Sequence, residues 1–344
     1  MLRVISAGLL VAWLAILPAV AEQVDLRVLA WPGYADSDIV TVFEKRYQVK
    51  VKVSYVTNDD DMWLRIGHQQ GADFDVFAVN TAELQRYINA NLTQPLNPKL
   101  LPNVLHQRSR FKALQSIPGA TRGDAVYAVP YTYSEMGLIY NLAMFKQPPT
   151  SWQVLWDPRY RAQILAYNGS SHNYSLAAMV EGVANPFQLD EAQFRQATER
   201  LVALRRNVLT FYASPEEALD YFTQENIALM FANYGAQQVK MLTDAGAQVG
   251  YVIPREGALA WLDCWVLSAG MKNSELAHQW INYTLEPWVS ERLTQRQGLA
   301  NTIVQDPRSV TEDKVIWLQA VEDQQRRSQV WQLILSGKNM ATME

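Results

Sequence analysis

The residues best suited to chemistry lie together in Trp261-Leu262-Asp263-Cys264-Trp265, which follows Pro254-Arg255-Glu256-Gly257. In an extended strand side chains alternate between faces, so Trp261, Asp263 and Trp265 share one side. A lone carboxylate between two indoles suits a small organic cation: the carboxylate neutralises it, and the ring faces attract it through their quadrupoles. The competing reading is a sheet face packed on a core, because Trp is usually well buried. An Asp in that setting needs a buried partner of its own. Cys264 alternates to the opposite face and reads as a small core residue rather than a nucleophile.

Other chemistries lack their residues. The chain has no phosphate-cradling glycine loop, no His-Glu-x-x-His and no serine in a glycine elbow. Its four histidines, His68, His106, His172 and His278, are scattered and read as surface or packing residues rather than metal ligands. No cofactor is therefore expected, and with no acid–base pair visible neither is an enzyme. The 344 residues carry 30 Lys and Arg against 34 Asp and Glu, a net charge of −4 without a long basic run, so nucleic acid is not an expected partner. Sixteen Tyr and eleven Trp supply rings that build cores and also line wet clefts, where one edge stays polar.

The elements that must position these residues follow an export signal. Met1-Leu2-Arg3, an apolar run from Val4 to Leu17 and Pro18-Ala19-Val20-Ala21 form the three parts of a secretory leader, with cleavage expected after Ala21. The apolar run is shorter than the ~20 residues a membrane-spanning helix needs. Cys264 is the only cysteine, so no internal disulfide can form and the cleavage region offers no thiol for a lipid. These features predict a soluble periplasmic protein.

The mature chain alternates strand and helix. Val24–Ala30, Val49–Tyr55 and Phe74–Val79 read as strands, with helices opening at Asp36 or Ser37, at Asp59-Asp60-Asp61 and at Thr81. That order calls for a parallel sheet covered on both faces, and ligands sit at the carboxyl ends of such strands, here at Trp31–Tyr34 and Asn80-Thr81. A tyrosine-rich extended segment, Tyr127–Asn141, separates this unit from the next. There Ile164–Ala166 leads to a helix from about Asn173, Ser214 and Pro215 open another, and Ile227–Phe231 ends at Ala232-Asn233-Tyr234. After Ser268 the chain reads as mostly helical. A mature chain of this length favours two domains, since single cores stop growing near ~250–300 residues.

In order and spacing these pieces resemble the periplasmic solute-binding proteins of ABC importers, in the polyamine (spermidine/putrescine) group. The resemblance rests on Ala30-Trp31-Pro32-Gly33-Tyr34, Asp73-Phe74-Asp75-Val76, Tyr127-Ala128-Val129-Pro130-Tyr131 through Gly137-Leu138-Ile139-Tyr140-Asn141, and Pro254–Gly257 followed by Trp261-Leu262-Asp263. It implies an α/β, two-lobed periplasmic binding protein fold of type II, each lobe a mixed sheet flanked by helices and joined by a hinge. The expected division is a signal peptide at 1–21, one lobe from 22–134 plus 256–344, and a second lobe from 135–255. The resemblance further implies a monomer that hands a small amine to a membrane permease, or else reports it to a membrane sensor protein.

Carried over residue by residue, the resemblance places Trp31 and Tyr34 as walls of the site and Asn80 and Thr81 as polar contacts. Tyr133 falls on an aromatic cleft position. Trp261 would stack on the ligand's methylenes, and Asp263 would bind an ammonium. The chain also departs from the pattern. Gly33 stands where the group has an acid in its first loop, and Gly169-Ser170-Ser171-His172 contains no carboxylate where the group has others. Ala232 stands where a tryptophan is expected, with Tyr234 as a compensating ring. Glu135 offers a second charge near the crossing, against the alternative of a peripheral salt bridge. The helix start at Ser170, Ser171 and a protonated His172 would favour an anion instead. Two ligand classes therefore stand open: an ω-amino acid such as 4-aminobutyrate, or a short diamine such as putrescine.

Overall fold

The computed structural model describes residues 24–56, 59–304 and 314–338. The leader at 1–21 lies outside them. Among the described residues no helix is long and apolar enough to cross a membrane.

Asp25–Ala30 forms a strand buried on both faces: Leu26, Val28 and Ala30 enter one core cluster and Leu29 another. It pairs in parallel with Lys50–Tyr55 on one side and Val76–Asn80 on the other. The helix between, Ser37–Tyr47, buries Ile39 and Phe43, carries Asp38 in its first turn and Lys45 and Arg46 in its last, and stops at Gln48 in the left-handed conformation. That charge order suits the helix dipole.

The sheet then continues antiparallel. The eleven-residue strand Ala258–Ser268 pairs with Val76–Asn80, and beyond it runs Ala128–Glu135. Short strands Thr93–Gln94, Ala300–Asn301 and Val315–Trp317 complete this sheet, so the region after Ser268 is helical only in part. The second sheet contains Thr210–Tyr212, Ile164–Tyr167, Leu229–Ala232, Gly137–Asn141 and Val249–Val252 in that order. Its first three strands are parallel and its last two pairings antiparallel. As read from the sequence, Ser214 caps the helix Pro215–Gln224, accepting a 3.1 Å hydrogen bond from the Glu217 amide.

The chain passes between the sheets at Met136 and again between Val252 and Ala258. A third passage departs from the expected division. Leu318 donates its amide to Ala260 in the first lobe, yet the helix Gln324–Leu335 packs on the second-lobe helices Ser170–Val180 and Glu191–Asn207. Fully buried Arg327 fixes it there, donating to Glu322 at 2.7 Å, Ser175 Oγ at 3.0 Å and the Pro186 carbonyl at 3.2 Å. Trp331 meets Phe211 edge-on. The fold is the two-lobed α/β architecture of periplasmic binding proteins, each lobe a mixed sheet flanked by helices.

Candidate functional site

Asp263 lies midway along the long strand, where it pairs with Asn80 on one side and Thr132 on the other. Alternation holds: Trp261 and Trp265 enter one core cluster, and Leu262, Cys264 and Val266 the other. The two tryptophans nonetheless have different tasks. Trp261 lines the cleft, whereas Trp265 is wholly buried below it among Tyr131, Tyr34 and Trp280. Both readings of this strand thus apply, one at each end.

The partner that a buried Asp263 requires is Tyr34, whose hydroxyl donates to Oδ2 at 2.6 Å. Burial pushes the Asp263 carboxyl up to about 7, and the Tyr34 hydrogen bond opposes that rise. Tyr34 is held by the turn Trp31–Tyr34, closed by a 3.2 Å hydrogen bond from its amide to the Trp31 carbonyl. Gly33 adopts φ +87° in this turn, and a Cβ there would meet the Gln297 side chain. An acidic side chain at this position would be strained and would have to displace Gln297.

These residues border a cavity of about 150 Å³ between the lobes. Trp31, Tyr34, Asn80, Trp261 and Asp263 face it from the first lobe, His172, Asn233 and Tyr234 from the second. The lobes touch across it: Trp261 Nε1 donates to the Asn233 carbonyl at 3.0 Å, and Gln237 Nε2 to Gln297 Oε1 at 3.1 Å. Gly235, at φ +51°, lets the second lobe approach so closely that a Cβ would fall 2.2 Å from the Glu135 carbonyl oxygen.

Sequence reasoning missed two acids of this lining, exposed Glu216 on the second lobe and, more consequentially, Asp59. It opens the helix Asp59–Gly67, is half-buried and lines the same cavity as Asp263. Asn80 orients it: its Nδ2 donates to Asp59 Oδ1 at 3.1 Å, while its Oδ1 accepts the Glu83 amide. Asn80, rather than Thr81, is thus the cap of the helix Thr81–Asn89. Burial, then Glu83 and Asp263, holds the Asp59 carboxyl well above the usual range, with Arg86 opposing. Burial also raises Glu83, again against Arg86, which pairs with it at 2.7 Å. The acidic triplet Asp59-Asp60-Asp61 signalled a helix start; what it could not signal was that Asp59 turns toward strand Ala258–Ser268, some 200 positions on.

Other expected positions lie elsewhere. Tyr133 packs behind the sheet with Phe111 and Trp317, its hydroxyl accepting from Arg108 at 2.6 Å. The cause is a bulge: the pairing with the long strand skips Tyr131, so Tyr131 and Tyr133 enter different core clusters. Glu135 is buried at the end of its strand outside the cleft lining, where its backbone carbonyl accepts from Tyr251 at 2.8 Å. Thr81 is buried in the first turn of its helix, also outside the lining. Ser170 pairs with Ser328 at 3.2 Å, and Ser171 donates to Gln324 at 2.5 Å. Ser171 borders a separate chamber of about 30 Å³ that also touches Asp59, Asn80 and His172.

A protonated His172 does not fit this site. Burial lowers the imidazole to about 4, with Asn233 acting the other way and Arg327 lowering it further, so the ring is neutral at physiological pH. It stacks on Tyr167 at 5.5 Å. The helix start at Ser170 therefore lacks the positive charge that an anion site there would have drawn on. Among the described residues no cluster of three or more His, Cys, Asp or Glu could hold a metal ion.

Known proteins resemble this chain along most of its length. It is 25% identical to spermidine/putrescine-binding periplasmic protein 1 of Haemophilus influenzae over 83% of this chain and 79% of that one. It is 27% identical to the putrescine-binding periplasmic protein PotF of Escherichia coli, over 82% and 78%. The norspermidine sensor of Vibrio cholerae is 22% identical, over 78% and 72%. Among solved structures, the spermidine/putrescine ABC transporter substrate-binding protein PotD of Streptococcus pneumoniae superposes with TM-score 0.75 at 20% identity, covering 92% of this chain and all of that one. Residues 38–314 match the model of the bacterial extracellular solute-binding proteins, and the chain belongs to that family.

Proposed function

We propose that this protein is the periplasmic substrate-binding component of an ABC importer for a small aliphatic amine of the polyamine type. The observation that carries this reading is Asp263: a carboxylate buried in an interlobe cavity, held by Tyr34 and walled by Trp31, Tyr234 and Trp261. An ammonium entering there gains a charge-assisted hydrogen bond and the attraction of ring faces, while its methylenes cover apolar wall. The acids and rings of the cleft suit binding of such a cation. The amine-binding relatives support this reading, and the leader-like pattern of residues 1–21 supports the compartment.

The permease is the partner such a component serves. The Vibrio relative supports a second role, in which the same lobes report amine levels to a membrane sensor protein. Both roles begin with the same binding event. It is tested by calorimetric titration of the refolded, ligand-stripped protein with putrescine, spermidine, 4-aminobutyrate and 5-aminovalerate. One-to-one binding of an amine supports the proposal, and binding of none of them refutes it.

A further inference from the structure

We infer that Asp59 anchors a second ammonium, so that the ligand is a diamine held between Asp263 and Asp59 rather than a monoamine or an ω-amino acid. This rests on the amine reading above and names its substrate class. Both acids line one cavity but come from different elements, a strand centre and a helix start. A ligand reaching both must be bifunctional.

The charges around Asp59 leave room for a cation. Glu83 and Asp263 are the acids that act on it most, and exposed Asp60 acts less. Arg86 is the cation acting on it, but that guanidinium pairs with Glu83 and stacks on Trp63 at 4.6 Å. From the second lobe the facing groups are Tyr167, Tyr234 and neutral His172, and Glu216 adds a further acid at the rim. Asp59, Asp263 and Glu216 thus border a cavity whose lining, among the described residues, holds no Lys or Arg, a setting that a dication suits and a ligand carboxylate does not.

An independent observation points the same way. Asn233 is 5% exposed and lines the cavity, and its Oδ1 accepts no hydrogen bond of ordinary geometry among the described residues, its one polar neighbour being the neutral His172 ring. An unpaired buried acceptor is costly until a donor reaches it. An ammonium has three donors and no acceptor, so it serves both a carboxylate and an amide oxygen. The acids absent from the first loop and from Gly169–His172 are thus replaced by one on a different element.

The test compares putrescine with butylamine, which keeps the four carbons and one amine. In the wild-type protein putrescine should bind more tightly by on the order of tenfold or more, the worth of a hydrogen bond to a charged group. In Asp59→Asn that ratio should fall toward one, and Asp59→Glu should restore part of it. 4-Aminobutyrate should bind the wild type no better than butylamine. A wild-type protein that does not prefer putrescine overturns the inference whatever the variants do, as does an unchanged ratio in a folded Asp59→Asn. Preference for 4-aminobutyrate overturns it while leaving the amine reading intact; failure of every amine removes both.

Discussion

The Tyr34 hydroxyl and the Asp263 carboxylate, 229 positions apart in sequence, meet at 2.6 Å and join the first loop to the centre of the long strand. The bond accounts for how a carboxylate persists among aromatic rings: it supplies the partner burial demands, and it counters the rise of the Asp263 carboxyl. Tyr34→Phe keeps the ring and removes the donor. The carboxyl should then titrate at higher pH, and putrescine affinity near neutrality should fall several-fold, as expected for loss of a hydrogen bond to a charged group. Titration calorimetry across pH 6–8 checks both.

Asp263 makes the empty protein sensitive to pH. Its folded-state value of about 7 stands above the ordinary 3.8, so the folded protein holds a proton that the unfolded chain has lost. Its contribution to stability is fully present below the ordinary value and declines as pH rises through about 7. Asp59, also raised, acts in the same direction. Thermal melting of the ligand-free protein should show that decline, and saturating putrescine should reverse it by supplying positive charge in place of protons. An Asp263→Asn variant should show a flatter profile.

Trp261 both walls the cleft and bridges it through its bond to the Asn233 carbonyl. Trp261→Ala should cost on the order of tenfold or more in amine affinity, since it removes apolar wall, ring face and an interlobe bond. Trp261→Phe retains a ring and should recover part of the loss. Small-angle scattering of the ligand-free proteins should show wider lobe separation in both variants.

Gly235 makes the close approach of the lobes possible, and Gly235→Ala places a methyl against the Glu135 carbonyl and the Ser134 hydroxyl. Its φ of +51° adds backbone strain. Weaker amine binding with only a small drop in melting temperature is the expected pattern, because the clash is relieved by opening the cleft. Calorimetry paired with thermal melting separates the two effects.

Arg327 tests the third passage between the lobes. Arg327→Met removes one partner of a buried ion pair and leaves Glu322, Ser175 Oγ and the Pro186 carbonyl without their donor. Such losses cost about 3 kcal/mol. Denaturant unfolding should show a lowered midpoint, and proteolysis should release the C-terminal helix first.

How much of this was legible in the chain depends on distance. Strand alternation around Asp263, the Ser214 cap and the β-α-β order are local patterns, and the structure follows them. Trp265 shares the face of Asp263 yet packs in the core, because alternation gives the face of a strand, not the position along it at which a cavity ends. Tyr133 failed for a backbone reason: the bulge at Tyr131 reverses the face of everything after it, and no residue there announces it. Glu135 is near the crossing in sequence but outside the cleft lining, whereas Asp59, which lines it, reads locally as a helix-start signal. The C-terminal helix packs on the second lobe, not the first, and its anchor, Arg327, reads in sequence as only one more charge on a polar face.

The most direct measurement is the putrescine affinity of Asp263→Asn against wild type, by titration calorimetry on ligand-stripped protein. Asparagine keeps the shape and removes the charge. The account predicts a loss on the order of a hundredfold, reflecting a charge-assisted bond inside a buried cleft. Equal affinity in the two proteins would contradict it and place the amine away from Asp263.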